Sequence, residues 1–185
     1  MRVLNFLLEA ISSFFCALFF LRFFMQWRRI PFYHPFGDFI LKLTSWAVLP
    51  LRHLIPGIGG FDWASLVAAF LCKLALVLLL MALQYLFLGA SFPSLVPLIL
   101  PVLLVALKDL LLVLLSLFTL LLIVQVVLSW VNPGSPLALP VAQLTAPILA
   151  PIRRLIPPIS GIDLSPMVAF LILQALSMLL HEIMI

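Results

Sequence analysis

Four long apolar runs, residues 3–25, 63–88, 110–131 and 164–184, leave this chain little choice of fold. Each is long enough, at about 1.5 Å per residue, to cross the ~30 Å hydrocarbon core of a bilayer as a helix. Helices are required there, because backbone N–H and C=O groups in lipid must be satisfied within the segment itself. Charged residues make up only 9% of the sequence and mean hydropathy is +1.36. A soluble domain carries about 25% charged residues, so no water-facing surface can be covered. The expected class is an all-α membrane protein with four transmembrane helices. The first run is expected to be a retained span rather than a signal peptide. It has Arg2 as its only n-region charge, Glu9 inside the apolar stretch, and no small-residue cleavage site before Arg22.

The segment between spans one and two and the segment between spans three and four are written in the same words. "PLRHLIPGIGGFD" (50–62) matches "PIRRLIPPISGID" (151–163), and the register extends without a gap. Pro35 pairs with Pro136, Leu43-Thr44 with Leu144-Thr145, Arg52 with Arg153, and Val67-Ala68 with Val168-Ala169. This reads as an internal duplication in which each copy is a span, a connector and a second span. The expected division is 1–91 for the first repeat, 92–107 for a proline-rich apolar lead-in, and 108–185 for the second repeat. The lead-in carries Pro93, Pro97 and Pro101, which argues for an interfacial or re-entrant segment rather than a fifth span. Basic residues gather in the connectors: Arg28, Arg29, Lys42 and Arg52 in the first, Arg153 and Arg154 in the second. The positive-inside rule then puts both connectors in the cytoplasm and both termini outside, with the repeats parallel.

Within the first connector, Phe36, Phe39, Ile40, Leu43, Trp46, Ala47, Leu51 and Leu54 recur at helical spacing, with Asp38, Lys42, Ser45 and Arg52 on the other side. That pattern predicts an amphipathic helix lying in the membrane plane. Ser135 and Pro136 supply an N-cap and first-turn proline for its counterpart, while Pro140, Pro147 and Pro151 are expected to bend or break it. After each helix the arginines (Arg52; Arg153 and Arg154) sit where anionic lipid headgroups lie, each worth about 1 kcal/mol there. An ion pair or a protein contact is the other use for them. Pro56 and Pro157 end the helix, and Gly60 and Gly161 permit a backbone turn that other residues resist. Asp62 and Asp163 then precede spans two and four. The plain reading makes them helix caps; the sharper one, a site for a partner or an ion.

The doubled "PxR[HR]LIPxxxGxD" motif, with "SWVNPGSP" before its second copy and "SPM" after it, resembles the YggT family of bacterial inner-membrane proteins over essentially the whole chain. The resemblance implies a small multi-pass protein of the bacterial inner membrane without an established biochemical activity. Relatives are linked to osmotic-stress tolerance, to cell division and nucleoid organisation, and in plastids to cofactor assembly on a b-type cytochrome. The first copy departs from the second at His53, Phe61 and Trp63 and lacks the "NPGSP" lead-in.

Polar residues inside the spans are few. Lys73 lies about 16 Å into span two, and the duplication matches it with Gln174 at the same depth. Both are expected to face the bundle interior, serving either transport or a partner, or simply interhelical packing. Glu9 and Gln125 could line the same seam, Arg22 is placed to snorkel to the interface, and Lys108-Asp109 is expected to mark the outer edge of span three. Cys16 and Cys72 lie at similar depth and could be neighbours. They form no metal or redox spacing. His34, His53 and His181 have no partner at ligand spacing, and no nucleophile elbow, P-loop or dinucleotide fingerprint occurs. No catalytic residue, metal or cofactor is therefore expected, and no direct contact with nucleic acid.

Two functional expectations follow. The first is a non-catalytic scaffold or assembly factor in envelope maintenance, osmotic-stress tolerance or cell division, meeting anionic lipids and membrane-protein partners or a second copy through its connectors. The alternative is an oligomeric ion or osmolyte pathway lined at Lys73 and Gln174.

Overall fold

The computed structural model describes residues 2–57, 59–88, 95–156 and 163–183, which form six helices and, among these residues, no strand. In order they are α1 (Arg2–Trp27), α2 (Pro35–Leu54), α3 (Trp63–Leu88), α4 (Leu95–Val131), α5 (Ala138–Leu155) and α6 (Ser165–Ile183). Four of them, α1, α3, α4 and α6, are long and apolar enough to cross a membrane. The two shorter ones are the connectors.

Packing follows chain order. Helix α1 lies along α3, and α4 along α6; α2 leans on both α1 and α3, and α5 on both α4 and α6. Contacts of α4 with α1 and α3 join the halves, and the ring of Phe24 meets that of Phe118 at 5.0 Å. Small residues let α1 and α3 approach closely. Ala64, Ala68 and Ala69 are buried against α1, and the Cys16 thiol donates to the Ala69 carbonyl at 3.3 Å. In lipid there is no hydrophobic drive between helices, so such close van der Waals contact is what holds them. Exposed Phe6, Leu78, Leu100 and Leu171 stand on the outer wall, where acyl chains are expected.

Local chemistry sets the ends of the elements. Helix α1 closes with Ile30 N–H bonding the Met25 carbonyl and Arg29 N–H bonding that of Gln26. Arg29 takes the left-handed conformation, φ 55°, that this two-bond closure needs at its pivot. Helix α2 begins where His34 Nδ1 accepts the Gly37 N–H at 3.2 Å, followed by Pro35, whose missing N–H is one the first turn leaves free anyway. The helix stops at Ile55, directly before Pro56. Gly59 and Gly60 then turn the chain with φ of 68° and 83°.

Three sequence-level expectations change. Helix α4 runs unbroken from Leu95 to Val131 through Pro101, so most of the proline-rich lead-in belongs to the third span. Pro97 falls in the first turn, where a helix has no bond to lose, and spanning helices tolerate a single interior proline. Phe92, Pro93 and Ser94 lie outside the described residues. Lys108 and Asp109 fall within this helix of about 55 Å, about 33 Å from its connector end. Helix α5 begins at Ala138, after a turn in which Ser135 Oγ accepts the Leu137 N–H, and it continues through Pro147 and Pro151 without breaking.

Helix α2 does not meet only the tip of α1. Its Trp46 ring packs edge-on against Phe15 at 6.1 Å, while its Arg52 reaches Gln26. Those contacts span about 16 Å of α1. The buried stripe of α2 is Ile40, Thr44 and Val48; Phe39, Trp46 and Leu49 lie on the opposite side and flank Lys42 there, exposed, so the expected split between an apolar and a charged side does not hold for them.

The entry to α2 depends on Gly37. A Cβ there would stand 2.7 Å from Phe32 Cα, a backbone atom that cannot rotate away. Gly37→Ala should therefore destabilise the fold by about 1–3 kcal/mol, the usual range for overpacking. Thermal unfolding of the purified protein in detergent measures it, and an unchanged midpoint would refute this account of the turn.

Candidate functional site

The duplicated motif folds into two Arg–Asp clamps, one buried and one open. In the first, Arg52 at the end of α2 meets Asp62 just before α3 side-on. Its Nε donates to Oδ1 at 3.2 Å and its Nη2 to Oδ2 at 2.6 Å. The same Nη2 also donates to Gln26 Oε1 of α1 at 2.8 Å, and Ser65 Oγ donates to Asp62 Oδ2 at 2.7 Å. Two parallel N–H···O bonds make this the strong form of a carboxylate pair. Asp62 is 1% exposed.

A second cation joins it. Arg22, 2% exposed on α1, puts its Nε 3.4 Å from Asp62 Oδ2 and donates from Nη1 to Thr44 Oγ1 at 2.8 Å and Ser45 Oγ at 3.3 Å. The expectation that Arg22 would snorkel outward is therefore corrected. A carboxylate within reach inside the bundle satisfies it better than an extended path to the interface. One buried carboxylate thus ties α1, α2 and the start of α3 together, with the rings of Phe23, Trp27 and Trp63 gathered around Phe61 beside it.

The second clamp copies the outline. Arg153 donates to Asp163 from Nε at 2.9 Å and pairs from Nη2 at 2.8 Å, and Asp163 Oδ1 accepts the Ser165 N–H at 2.9 Å. Here the side chains are 46% and 36% exposed. By register, Ile123 stands where Arg22 stands in the first copy. Instead, Gln125 of α4 accepts a hydrogen bond from Thr145, the counterpart of Thr44. Arg28 reaches across the halves to the Gln143 carbonyl at 3.2 Å.

Electrostatics separate the two carboxylates in degree. Burial pushes the Asp62 carboxyl up, but hydrogen bonds from Arg52 and Ser65 and the charges of Arg52 and Arg22 outweigh it and hold it below the usual value of 3.8. For Asp163, the smaller burial penalty is outweighed by the Ser165 hydrogen bonds and by Arg153, again lowering it. A lowered folded value means that stability is present in full above the ordinary carboxylate range and drains away as pH falls through the folded values.

The other residues singled out in sequence lie apart from this centre. Arg154 is exposed at the end of α5, Pro56 and Gly60 are exposed in the turn, and Pro157 and Gly161 lie outside the described residues. Lys73 is 3% exposed and donates to Ser13 Oγ at 2.9 Å. It lines a cavity of about 480 Å³, whereas half-buried Gln174 lines a separate one of about 220 Å³; the two share Ser116 and Leu120. Glu9 is in the Lys73 cavity, while Gln125 is engaged elsewhere by Thr145. Cys16 and Cys72 are free thiols, with Cys72 Sγ 3.6 Å from Ser12 Oγ. Sequence reasoning missed the roles of Arg22, Gln26 and Ser65. The available signal was a lone arginine in an apolar run facing a motif with an acid.

The family model described as CCB3/YggT matches residues 1–83 and 104–184. The chain belongs to the CCB3/YggT family. It is 35% identical to "Uncharacterized protein YggT" of Escherichia coli (strain K12) over its full length and 92% of that protein. It is 38% identical to "Uncharacterized protein PA0392" of Pseudomonas aeruginosa over 94% of the chain and 86% of that protein. A shorter likeness, 43% over 63 residues, links it to "YlmG homolog protein 2, chloroplastic" of Arabidopsis thaliana, covering 33% of the chain and 25% of that protein. No solved structure matches.

The two clamps should differ in weight. Asp62→Asn leaves two arginines facing a neutral group in a buried setting, and breaking such a pair costs about 3–5 kcal/mol. Asp163→Asn removes a half-exposed pair worth about 0–1 kcal/mol. Thermal unfolding from pH 7 down to pH 3 should show stability falling below about pH 4 in the parent, with much of that loss absent in Asp62→Asn. Equal effects of the two substitutions would contradict the buried-clamp account.

Proposed function

We propose that this YggT-family protein is a non-catalytic assembly platform of the bacterial inner membrane, with its connectors in the cytoplasm and its termini in the periplasm. The observation that carries the reading is the division of labour on α2. One side is locked to α1 and α3 through Arg22, Arg52 and Asp62. The other leaves Phe39, Trp46, Leu49, Lys42 and His53 exposed. A rigid helix presenting aromatic and basic side chains at a membrane surface suits both anionic headgroups and a partner's amphipathic segment. Helix α5 offers a smaller version with Leu139, Arg154 and Leu155 exposed. In this reading Arg52 and Arg153 fix the platform, and Lys42 and Arg154 meet the lipid or the partner. Envelope maintenance under osmotic stress, or at division, is the setting we assign to it. The two-repeat division at 1–91, 92–107 and 108–185 belongs to the same proposal, with residues 95–107 as the first turns of α4.

The rival reading, a pathway for an ion or osmolyte, rests on Lys73 and Gln174. A cross-linking pull-down and survival after osmotic shock discriminate between them when Lys73→Leu is compared with the double change Arg52→Ala, Arg153→Ala. Loss of captured partners and of survival only in the arginine pair is the expected outcome. Loss only in Lys73→Leu would overturn the platform in favour of permeation.

A further inference from the structure

The cavity above Lys73 has no use in the platform reading, yet its chemistry is unusual for a membrane interior. It opens between α1, α3, α4 and α6, and its polar lining is Glu9, Ser13, Lys73, Asp109, Ser116 and His181. An ammonium carries three donors, and Lys73 gives one of them to the Ser13 hydroxyl. Among the described residues no carboxylate lies within ion-pairing distance of it. A buried cation without a counter-charge is costly, and intramembrane charges of this kind mark ligand or ion sites more often than packing.

The charges are also sorted by height. Counting about 1.5 Å per residue from the connector ends, Lys73 stands at about 15 Å on α3, Glu9 at about 27 Å on α1 and Asp109 at about 33 Å on α4. Glu9 and Asp109 therefore lie toward the far end of the cavity, near the edge of a ~30 Å core, with His181 beside them at about 24 Å on α6, and the ammonium lies deepest. A simple anion would be repelled at that end, and a simple cation would stop there and leave Lys73 uncompensated.

We propose that this cavity binds a zwitterion, with its acidic group, a phosphate or carboxylate, on Lys73 and Ser13 and its ammonium between Glu9 and Asp109. The volume of about 480 Å³ accommodates such a group with water around it. The same chemistry is carried by an ethanolamine phospholipid headgroup and by a free amino acid or phosphoethanolamine.

The test uses the full chain purified in detergent. Binding of phosphoethanolamine, and of its two halves, ethylamine and ethyl phosphate, is read by thermal shift. Retention of phosphatidylethanolamine against phosphatidylglycerol is read by native mass spectrometry. Either the whole zwitterion or the ethanolamine lipid should bind at least about tenfold more tightly than the half-molecules or the glycerol lipid, a difference of about 1.4 kcal/mol. Retention of the lipid alone identifies a headgroup site, and binding of the free compound identifies a solute site; both support the proposal. Lys73→Met, which keeps the length and removes the charge, and Asp109→Asn at the far end should each cost about tenfold. Binding of neither zwitterion, equal binding of ethylamine, or affinity unchanged in both variants would overturn it.

Discussion

One buried carboxylate organises the first half of this molecule. Asp62 is reached by guanidinium groups from two different helices, and it stands at the root of a third. In water such contacts would be worth little. In a site that is almost closed to solvent, each charge makes the others necessary, because leaving any one alone exposes it to a low-dielectric surround. The connector α2 is therefore not free to swing. Its angle to the spans is set by two points, Arg52 at its end and Thr44-Ser45 in its middle, and the aromatic faces of Phe15 and Trp46 fit that angle.

The second half repeats the frame and relaxes the chemistry. Arg153 and Asp163 hold α5 to the start of α6 at a more open site, and a neutral Gln125–Thr145 bond stands in for the arginine from the span. The matching words thus form an Arg–Asp link in both places, with a second buried arginine added only in the first. The same asymmetry appears deeper in the bundle. Lys73 has a hydroxyl partner and a cavity shared with Glu9, Asp109 and His181, and its counterpart Gln174 lines a smaller one with Ser116, Thr119 and Ser177. The two halves thus differ in where charge is buried: Arg22, Arg52 and Asp62 meet in a nearly closed site, while Arg153 and Asp163 pair in an open one.

Much of the architecture could be read from the order of residues. Length and hydropathy dictated four spanning helices, and period-3.6 patterning located α2 between Pro35 and Pro56. The misreadings were local. Prolines at 97 and 101 suggested a break where α4 is continuous, because a proline count does not reveal which N–H groups would have gone unused or which neighbours support the helix. Arg22 was placed at the interface because a single-span argument sees only the distance to water.

Sequence alone determined that the chain must bury itself in lipid as helices, and that its most specific words, "PLRHLIP" and "PIRRLIP", fall between spans. Those conclusions need only composition and spacing, which are properties of each segment by itself. Tertiary structure decided that Arg52 locks Asp62, that Arg22 joins them, and that Lys73 faces a cavity that Glu9 and Asp109 also line. These depend on which faces of separate helices meet, and a difference of one residue in a helix rotates a side chain by about 100°. Pairing across helices is a property of the packed bundle rather than of any run of letters.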